Sequence, residues 1–288
     1  VRHLRNDAPA PIHTASSTLE ARTMTRMSDA MFDAAARHQL VIQFLPALAR
    51  LPTNQRLTKD DLLGAQFLLH REGPLEIYYA PLDYVNSDAQ VMLIGITPGW
   101  QQIEIAYRAA QDGLAHGDTP SQICYRAKAS ASFAGAMRRN LTAMLDDVGL
   151  PTILQIPTSN ALFDTHRTLI HTTSAIRYPV FIDGKNYTGH QPALLQTAIL
   201  QRFVLDVLTA ELRLTNHALI IPLGKCVSDV LRLLIDKGQI DSDRCLLDFP
   251  HPSGANGHRI KQFRQVQTEL AKRIQQWFSE RNAQRGVG

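Results

Sequence analysis

The sequence is poor in cysteine: Cys124, Cys226 and Cys245 are the three cysteines of 288 residues, and they stand far apart. No two form a C-x-x-C pair, so they cannot build a zinc finger or a four-cysteine iron–sulfur cluster, and we predict that all three are reduced. His166 and His171 lie five residues apart, the wrong interval for one helix face, with no obvious third ligand. We therefore predict no metal site and no cofactor.

The chain also lacks a long apolar run. No stretch reaches the roughly 18–20 uninterrupted apolar residues that span a bilayer, and the first residues lack the short apolar core of a secretory signal. We therefore predict a soluble, cytoplasmic protein with no membrane partner. The formal net charge of +4 is a mild basic excess, which suits both nucleic-acid binding and ordinary solubility.

Apolar material is plentiful, because 44% of the residues are hydrophobic. Residues 1–28 show no apolar periodicity and are predicted to be a partly disordered tail. Residues 29–89 are predicted to be an N-terminal helical extension, with one helix over about 29–50 and another from Thr58 to about His70. Thr58 stands three residues before Asp61, as in a capping box, and Leu75–Tyr79 could be a short strand. Residues 90–282 are predicted to form the main domain.

This main domain contains four short apolar runs, which are Val91–Ile94, Leu169–Ile176, Ala218–Leu223 and Cys245–Phe249. Segments of helical period lie between or after them, at about 134–148, 194–212, 225–237 and 259–281. The alternation predicts an α/β fold with a central, mostly parallel, four-stranded sheet. Ligands bind at the carboxyl ends of such strands, so the loops after residues 94, 176, 223 and 249 should carry the chemistry.

Two of these loops indicate a function. Gly95-Ile96-Thr97-Pro98-Gly99 follows the first strand directly, and two glycines around a proline make a tight, rigid turn that a ligand can approach closely. The run PHPSGANGHR, residues 250–259, follows the last predicted strand and holds His251 between prolines. A rigid histidine at the carboxyl end of a strand favours a catalytic role over a structural one.

The motifs GITPG and HPSGANGHR resemble, in this order, the two motifs of the uracil-DNA glycosylase superfamily, and ALIIPLGKCVSDVL resembles its third strand and glycine-ended loop. The resemblance covers roughly residues 90–275. It implies a three-layer α/β/α fold and an enzyme that flips a pyrimidine out of DNA and hydrolyses its N-glycosidic bond, leaving an abasic site. We expect DNA, double- or single-stranded, as the partner and a monomer as the working form.

The resemblance assigns catalysis to the two loops. It makes His251 the donor to the pyrimidine O2, and it places the turn's backbone along the pocket, at Gly95, Ile96, Pro98 and Gly99. Thr97 stands where the family usually has Asp or Asn to hold the attacking water, and a threonine cannot act as a base. Gln101, Gln102 and Glu104 are the nearest substitutes for that role.

Other positions concern the base itself. Gly99 stands where the uracil-restricted branch has a bulky tyrosine, so the pocket is expected to accept a C5 substituent unless Trp100 or Tyr107 refills the space. Phe133 resembles the aromatic residue that stacks on the flipped base, although a core phenylalanine at a helix start would look the same. Ser174, with Thr173, falls where the family often has an asparagine that reads the pyrimidine edge.

The second loop also predicts a DNA-binding surface, made of Ser253, Gly254, Ala255, Asn256, His258 and Arg259. Ala255 stands where many relatives insert a leucine wedge into the duplex, and it is too small for that role. Further phosphate contacts are predicted at Arg138, Arg139, Lys261 and Arg264. Within the excursion 178–192, the predicted substrate contacts are Asn186, Tyr187 and His190.

These patterns support several hypotheses. The first is a glycosylase that releases a C5-substituted pyrimidine, such as the glucosylated hydroxymethylcytosine of phage DNA, in anti-phage defence. A uracil or mismatch repair glycosylase is the alternative within the same class. A catalytically silent DNA-binding protein on the same fold would follow from Thr97, and a nucleotide- or nucleoside-processing α/β enzyme unrelated to DNA is the weakest alternative.

Overall fold

The structure is a computed structural model that describes residues 37–285. The tail predicted over residues 1–28 and the start of the predicted extension lie outside the described residues. The described chain opens with helix α1 (Arg37–Ala49) and the short helix α2 (Lys59–Leu62). Two strands follow, β1 (Leu68–Glu72) and β2 (Leu75–Tyr78).

The rest of the chain alternates strands and helices. Its elements in chain order are β3 (Val91–Gly95), α3 (Trp100–Ala115), α4 (Pro120–Ala131), α5 (Ala136–Asp147), α6 (Leu150–Leu154), β4 (Ile170–Ser174), β5 (Val180–Ile182), β6 (Lys185–Asn186), α7 (Ala198–Arg202), a π-helical segment (Phe203–Leu208), α8 (Thr209–Leu214), β7 (Leu219–Pro222), α9 (Lys225–Asp236) and α10 (Arg259–Arg285). Helix α4 was not predicted, although Thr119 and Gln122 form a capping box at its start and Pro120 occupies its first turn.

The central sheet is parallel and has three strands in the order β4-β3-β7, so the chain has the predicted α/β class. The prediction of four strands was wrong. Cys245 makes only an isolated parallel bridge to Ile220, and Leu246 adds one backbone hydrogen bond to the same residue. Asp248 then takes a left-handed conformation, with φ of 65°, which ends the extended backbone that a strand needs.

A second, antiparallel sheet contains β1, β2, β5 and β6. The predicted extension is therefore not purely helical. The helix predicted from Thr58 to His70 ends at Leu62, although the Asp61 carboxylate does accept hydrogen bonds from the backbone N–H and the hydroxyl of Thr58, each at 2.7 Å. The hairpin partner β2 and the later strand β5 override the helical signal, because pairing with distant residues outweighs local propensity.

Alternate residues of β3 face two separate hydrophobic clusters. Met92 and Ile94 belong to one, and Val91 and Leu93 belong to the other, so the parallel sheet is covered on both faces. Helix α1 joins the first cluster, where the Phe44 ring stacks on that of Tyr79 with centroids 4.0 Å apart.

The domain boundary that the sequence predicts at residue 90 stays a prediction. None of the helices described between residues 37 and 285 is both long enough and apolar enough to cross a membrane.

A cluster of buried charges links the two sheets. The Arg177 guanidinium donates from Nε to Glu211 Oε1 at 2.6 Å and lies 3.8 Å from Asp83 Oδ1. His171 accepts a hydrogen bond from the Asn86 N–H at Nδ1, so its Nε2–H donates to Glu211 Oε2 at 3.1 Å. Arg177, Glu211, Asp83 and His171 are each 3% exposed or less. Such groups stay charged in an interior only while they remain paired.

Replacing Glu211 by glutamine should destabilise the fold strongly. Glu211→Gln keeps the shape of the side chain but leaves the buried Arg177 with only the more distant Asp83 as a partner. We expect the free energy of unfolding to fall by about 3–5 kcal/mol in urea denaturation. Lys225→Met, which breaks the exposed pair with Asp229, should change it by less than about 1 kcal/mol. Equal effects of the two substitutions would contradict this account.

Stability should also fall in acid because of His171. Burial, with the charge of Lys128, lowers the pKa of His171 from 6.5 to about 4. The unfolded chain therefore binds a proton at a pH where the folded chain does not, and the free energy of unfolding should decrease by about 2–3 kcal/mol as the pH falls from 6.5 to 4. Urea midpoints across this range should decline less steeply in His171→Gln. The same slope in both proteins would show that another group causes the loss.

Candidate functional site

The parallel register brings three strand ends to one edge of the sheet. Gly95, the last residue of β3, pairs with Ser174, the last residue of β4. On the other side of β3, Ile94 pairs with Pro222, and the N–H of Leu223 donates to Ile94 O at 2.8 Å. Neighbouring strands lie about 4.8 Å apart, so the 95–99 turn lies between the ends of β4 and β7.

His251 packs against Gly224, which follows Leu223 just after the end of β7. Gly224 has φ of +94°, and a Cβ built on it would lie 2.9 Å from His251 Cβ and 3.3 Å from His251 Cδ2. The imidazole therefore rests on a position that only glycine leaves free. The Gly224 N–H donates to Phe249 O at 2.8 Å, which ties the histidine loop to the end of β7. The structure thus places His251 at the end of β7, the strand next to β3, and its closeness to the 95–99 turn stays a prediction.

The hydrogen bonds of the His251 ring determine its tautomer. The Ser253 N–H donates to His251 Nδ1 at 3.2 Å, and burial lowers the pKa of the half-buried ring below its ordinary value. At neutral pH the ring is neutral with Nδ1 as an acceptor, so its proton is on Nε2. His251 presents a neutral N–H donor from Nε2.

Hydrogen bonds from side chains of the loop itself and of α5 hold the loop after His251 in place. Asn140 of α5 donates to Pro252 O at 2.9 Å, and Arg259 Nη1 donates to Ser253 O at 2.9 Å. Asn256 donates to His251 O at 3.3 Å and accepts from the N–H of His258. Of the predicted DNA contacts, Asn256, Arg259 and Ser253 therefore shape the loop. Its exposed tip consists of Gly254, Ala255, Gly257 and His258.

The catalytic role predicted for Thr97 would require its hydroxyl to bind the attacking water. The hydroxyl proton is instead donated to the backbone. The Thr97 hydroxyl donates to Tyr178 O at 2.8 Å and accepts from the Val180 N–H at 3.1 Å. Both bonds connect the turn to the chain between β4 and β5. The role of Thr97 is to position the turn.

The two hydrogen bonds of Thr97 predict a loss of stability on removal of the hydroxyl. Thr97→Val keeps the side-chain shape but leaves Tyr178 O and the Val180 N–H without that partner, which should cost about 1–3 kcal/mol in chemical denaturation. Thr97→Ser keeps the hydroxyl and should retain most of the stability. A valine variant as stable as the wild type would show that the turn does not depend on these bonds.

The other residues considered for water placement lie in three different settings. Gln102 accepts the Gly99 N–H at its Oε1, 3.0 Å away, and lines the pocket beside the turn. The Gln101 amide packs over Gly135, where a Cβ would lie 2.9 Å from Nε2. Glu104 is engaged by Arg56, whose hydrogen bond and charge lower the pKa of Glu104. Of the three, only Gln102 lines this pocket.

A pocket of about 360 Å³ lies between the turn, β4 and α4. Its lining includes the predicted residues Pro98, Gln102, Phe133, Thr173 and Ser174. Phe133 is buried with φ of 50°, and its ring approaches Gly95, where a Cβ would lie 3.1 Å from Phe133 Cε1. His251 is not part of this lining. It lies at the end of β7, which flanks β3 on the side opposite to β4 and this pocket.

Sequence reasoning missed two charged residues of this pocket, Lys128 and Arg177. Lys128 is 5% exposed, and burial lowers its pKa to about 8. It lies four residues after the buried Cys124 and three before the buried Ala131. Helical spacing on the apolar face of α4 was the signal that could have identified it.

Asn186 covers the position that was expected to be open at Gly99. A Cβ on Gly99 would lie 3.4 Å from Asn186 Nδ2, and Asn186 Oδ1 accepts the Trp100 N–H at 3.0 Å. Neither Trp100 nor Tyr107 lines the pocket. Tyr107 is fully buried, and its hydroxyl donates to Tyr79 O.

Several other predicted contacts are placed differently. Tyr187 is a core residue whose hydroxyl donates to Pro192 O, so its prediction as a substrate contact was wrong, whereas His190 is exposed. Arg138 donates from Nε to Ser132 O at 2.9 Å and packs over the Phe163 ring, so its guanidinium is committed to the fold. Among the cations predicted to contact phosphates, Arg139, Lys261 and Arg264 are exposed.

Comparisons with known proteins gave one close relative. The chain is 44% identical over 234 residues to the uncharacterized protein YoxB of Bacillus subtilis (strain 168), and the alignment covers 81% of this chain and 91% of that protein. No family model matches the chain, and no solved structure matches it.

Proposed function

The chain belongs to the family of the Bacillus subtilis protein YoxB, and from its own site we propose that it is a DNA glycosylase of the uracil-DNA glycosylase superfamily. It flips an altered pyrimidine out of DNA and hydrolyses the N-glycosidic bond, leaving an abasic site. The observation that carries the proposal is the neutral His251 imidazole, whose Nε2–H is held at the same sheet edge as the 95–99 turn. A parallel sheet covered on both faces supports the three-layer arrangement of that superfamily.

The chemistry needs such a donor. Breaking the bond between base and sugar leaves negative charge on the departing pyrimidine and positive charge on the sugar. A donor that is already oriented stabilises the developing anion without reorganisation. His251 meets this requirement, because Gly224 and the Ser253 N–H orient its ring and burial keeps it neutral.

The pocket beside the turn receives the base in this proposal. Phe133 supplies the aromatic face, and stacking of this kind contributes about 1–3 kcal/mol per base. Thr173 and Ser174 line the same pocket and meet the edge of the base. The hydroxyl of Thr173 is buried and has no partner among residues 37–285, so it is available to a ligand.

No aspartate or glutamate is among the residues that line this pocket, so a strong base beside the sugar is not part of the proposal. The water is placed by neutral groups, with Gln102 and the backbone of the turn as the assigned residues. Gln102 uses Oε1 to accept the Gly99 N–H, which leaves its amide N–H groups for water. The expected consequence is slower catalysis than with a carboxylate.

The DNA-binding surface lies around the histidine loop. The exposed tip, with Gly254, Ala255 and His258, faces the duplex. Arg139, Lys261 and Arg264 contact phosphates, which fixes the register of the protein on DNA without reading its sequence.

The substrate is a C5-substituted pyrimidine in this proposal. In this proposal Asn186, and not a bulky tyrosine, lies beside C5, because its amide packs at Gly99. An amide on an exposed segment can donate and accept hydrogen bonds with a hydroxylated substituent. Glucosylated hydroxymethylcytosine of phage DNA has such a substituent, which gives the enzyme a place in anti-phage defence in the cytoplasm.

Replacing His251 by alanine should remove the donor without removing the DNA surface. We expect single-turnover base excision to slow by about 10²–10³-fold, while DNA affinity in a filter or anisotropy assay changes little. His217→Ala is the matched control, because His217 is also half-buried but lies next to the amino-terminal end of β7, at the opposite end of that strand from His251. If wild type and His251→Ala both fail to form abasic sites while binding survives, the protein is a silent DNA-binding protein.

The substrate is tested with duplexes that contain uracil, a thymine mismatch or glucosylated hydroxymethylcytosine. Release of the glucosylated base is the expected result. Release of uracil alone would reject the C5-substituted substrate and favour a repair glycosylase.

A further inference from the structure

A second pocket lies along the outer edge of β4 and is not used by the proposed reaction. Its volume is about 330 Å³, and its lining includes Tyr84, Tyr125, Lys128, Arg167 and Thr172. Lys128 and Thr172 also line the pocket beside the turn, so these two residues separate the two pockets.

The second pocket faces backbone groups of β4 that pair with no other strand of the central sheet among the described residues. β4 is an edge strand of the central sheet, and the N–H of Ala175 donates toward β3, to Gly95 O. Because backbone groups alternate in direction along a strand, the N–H and C=O of Ile170, Thr172 and Ser174 point away from β3. Asn86 donates to Ile170 O at 2.9 Å and occupies one of these positions. The Thr172 N–H is left to face the pockets.

Two cations meet in this pocket, Lys128, which is buried, and Arg167, which is partly buried. Arg167 Nη2 donates to Lys128 O and to Ser132 Oγ, each at 3.2 Å, whereas Arg167 Nη1 is buried and has no hydrogen-bond partner in the described part of the chain. The Lys128 ammonium donates to Tyr84 O at 2.6 Å. Within residues 37–285, neither cation forms an ion pair with an aspartate or a glutamate. Both retain donors for a ligand.

The charge balance of the surrounding cluster is positive. Its cations are Lys128, Arg167 and Arg177, and its carboxylates are Asp83 and Glu211, which leaves one excess positive charge. The carboxylates are engaged by Arg177 and cannot also neutralise Arg167. Burial lowers the pKa of Arg167 to about 10 and that of Lys128 to about 8, while the charges of Glu211 and Asp83 act on Lys128 in the opposite direction.

We propose that this second pocket is an oxyanion site, in which Arg167 and Lys128 bind a phosphate-sized group. A guanidinium whose buried Nη1 has no partner among residues 37–285 and a neighbouring ammonium give the charge-assisted hydrogen bonds that phosphate oxygens prefer. The oxyanion is either free in solution or attached to a ligand in the neighbouring pocket, since Lys128 and Thr172 are common to both. Binding of a free oxyanion does not depend on the glycosylase reaction, whereas an oxyanion attached to the base rests on the proposed function.

Calorimetric titration of the full chain with inorganic phosphate tests the site. We expect the wild type to bind, Arg167→Met to bind at least about tenfold more weakly, and Arg167→Lys to fall between them. Arg126→Met is the matched control, because Arg126 lies in α4 near the pocket residue Lys128 but pairs with Asp118. This variant should bind phosphate like the wild type. Circular dichroism melts identify variants that fail to fold. Absence of phosphate binding by the wild type, or equal binding by Arg167→Met, overturns the proposal.

Two duplexes distinguish the sources of the oxyanion, one with 5-hydroxymethyluracil and one with its phosphorylated form. If the group is carried by the base, the phosphorylated duplex binds about tenfold more tightly, inorganic phosphate competes with it, and Arg167→Met removes the difference. If the oxyanion is free, the duplexes bind equally and phosphate still titrates. Both results support the site. Failure to excise any base would reject the proposed glycosylase and would leave the phosphate titration standing.

Discussion

Parallel pairing of β3 with both of its neighbours is the constraint on which the candidate site depends. It places Gly95, Ser174 and the residues after Pro222 at one edge of the sheet, because parallel strands end on the same side. The 95–99 turn and the aromatic ring of Phe133 are then neighbours, and the imidazole of His251 lies against Gly224 at the next strand end. A change of register by one residue would turn the side chains of β3 to the opposite faces and exchange the two hydrophobic clusters.

Two histidines of this protein are kept in the same tautomer by the same means. In His171 and in His251 a backbone N–H donates to Nδ1, and burial lowers the pKa of the ring. The proton of each ring is therefore on Nε2. His171 directs it to Glu211 inside the charge cluster, which makes the residue structural. His251 instead lies half-buried against Gly224 at a strand end, so the setting, and not the residue type, separates a structural histidine from a candidate catalyst.

The sequence predicted the elements that have strong local signals. Apolar runs placed β3, β4 and β7, and helical periodicity placed α5, α9 and α10. Prolines on both sides of His251 indicated a fixed loop, which the structure shows. The second sheet could not be predicted in the same way, because β2 joins the β1–β2 hairpin to β5, about a hundred residues away, and such pairing leaves little trace in the local pattern.

By itself the sequence determined the α/β class and indicated the two loops that follow the ends of buried segments, since apolar periodicity, glycine and proline act locally. Only the tertiary structure decided what the side chains in those loops do. Thr97 became a support of the turn because the chain at Tyr178 and Val180 returns beside it. Lys128 became a pocket residue because α4 packs along the open edge of β4. Charge, burial and hydrogen-bond partners depend on contacts between distant residues, and these exist only in the folded chain.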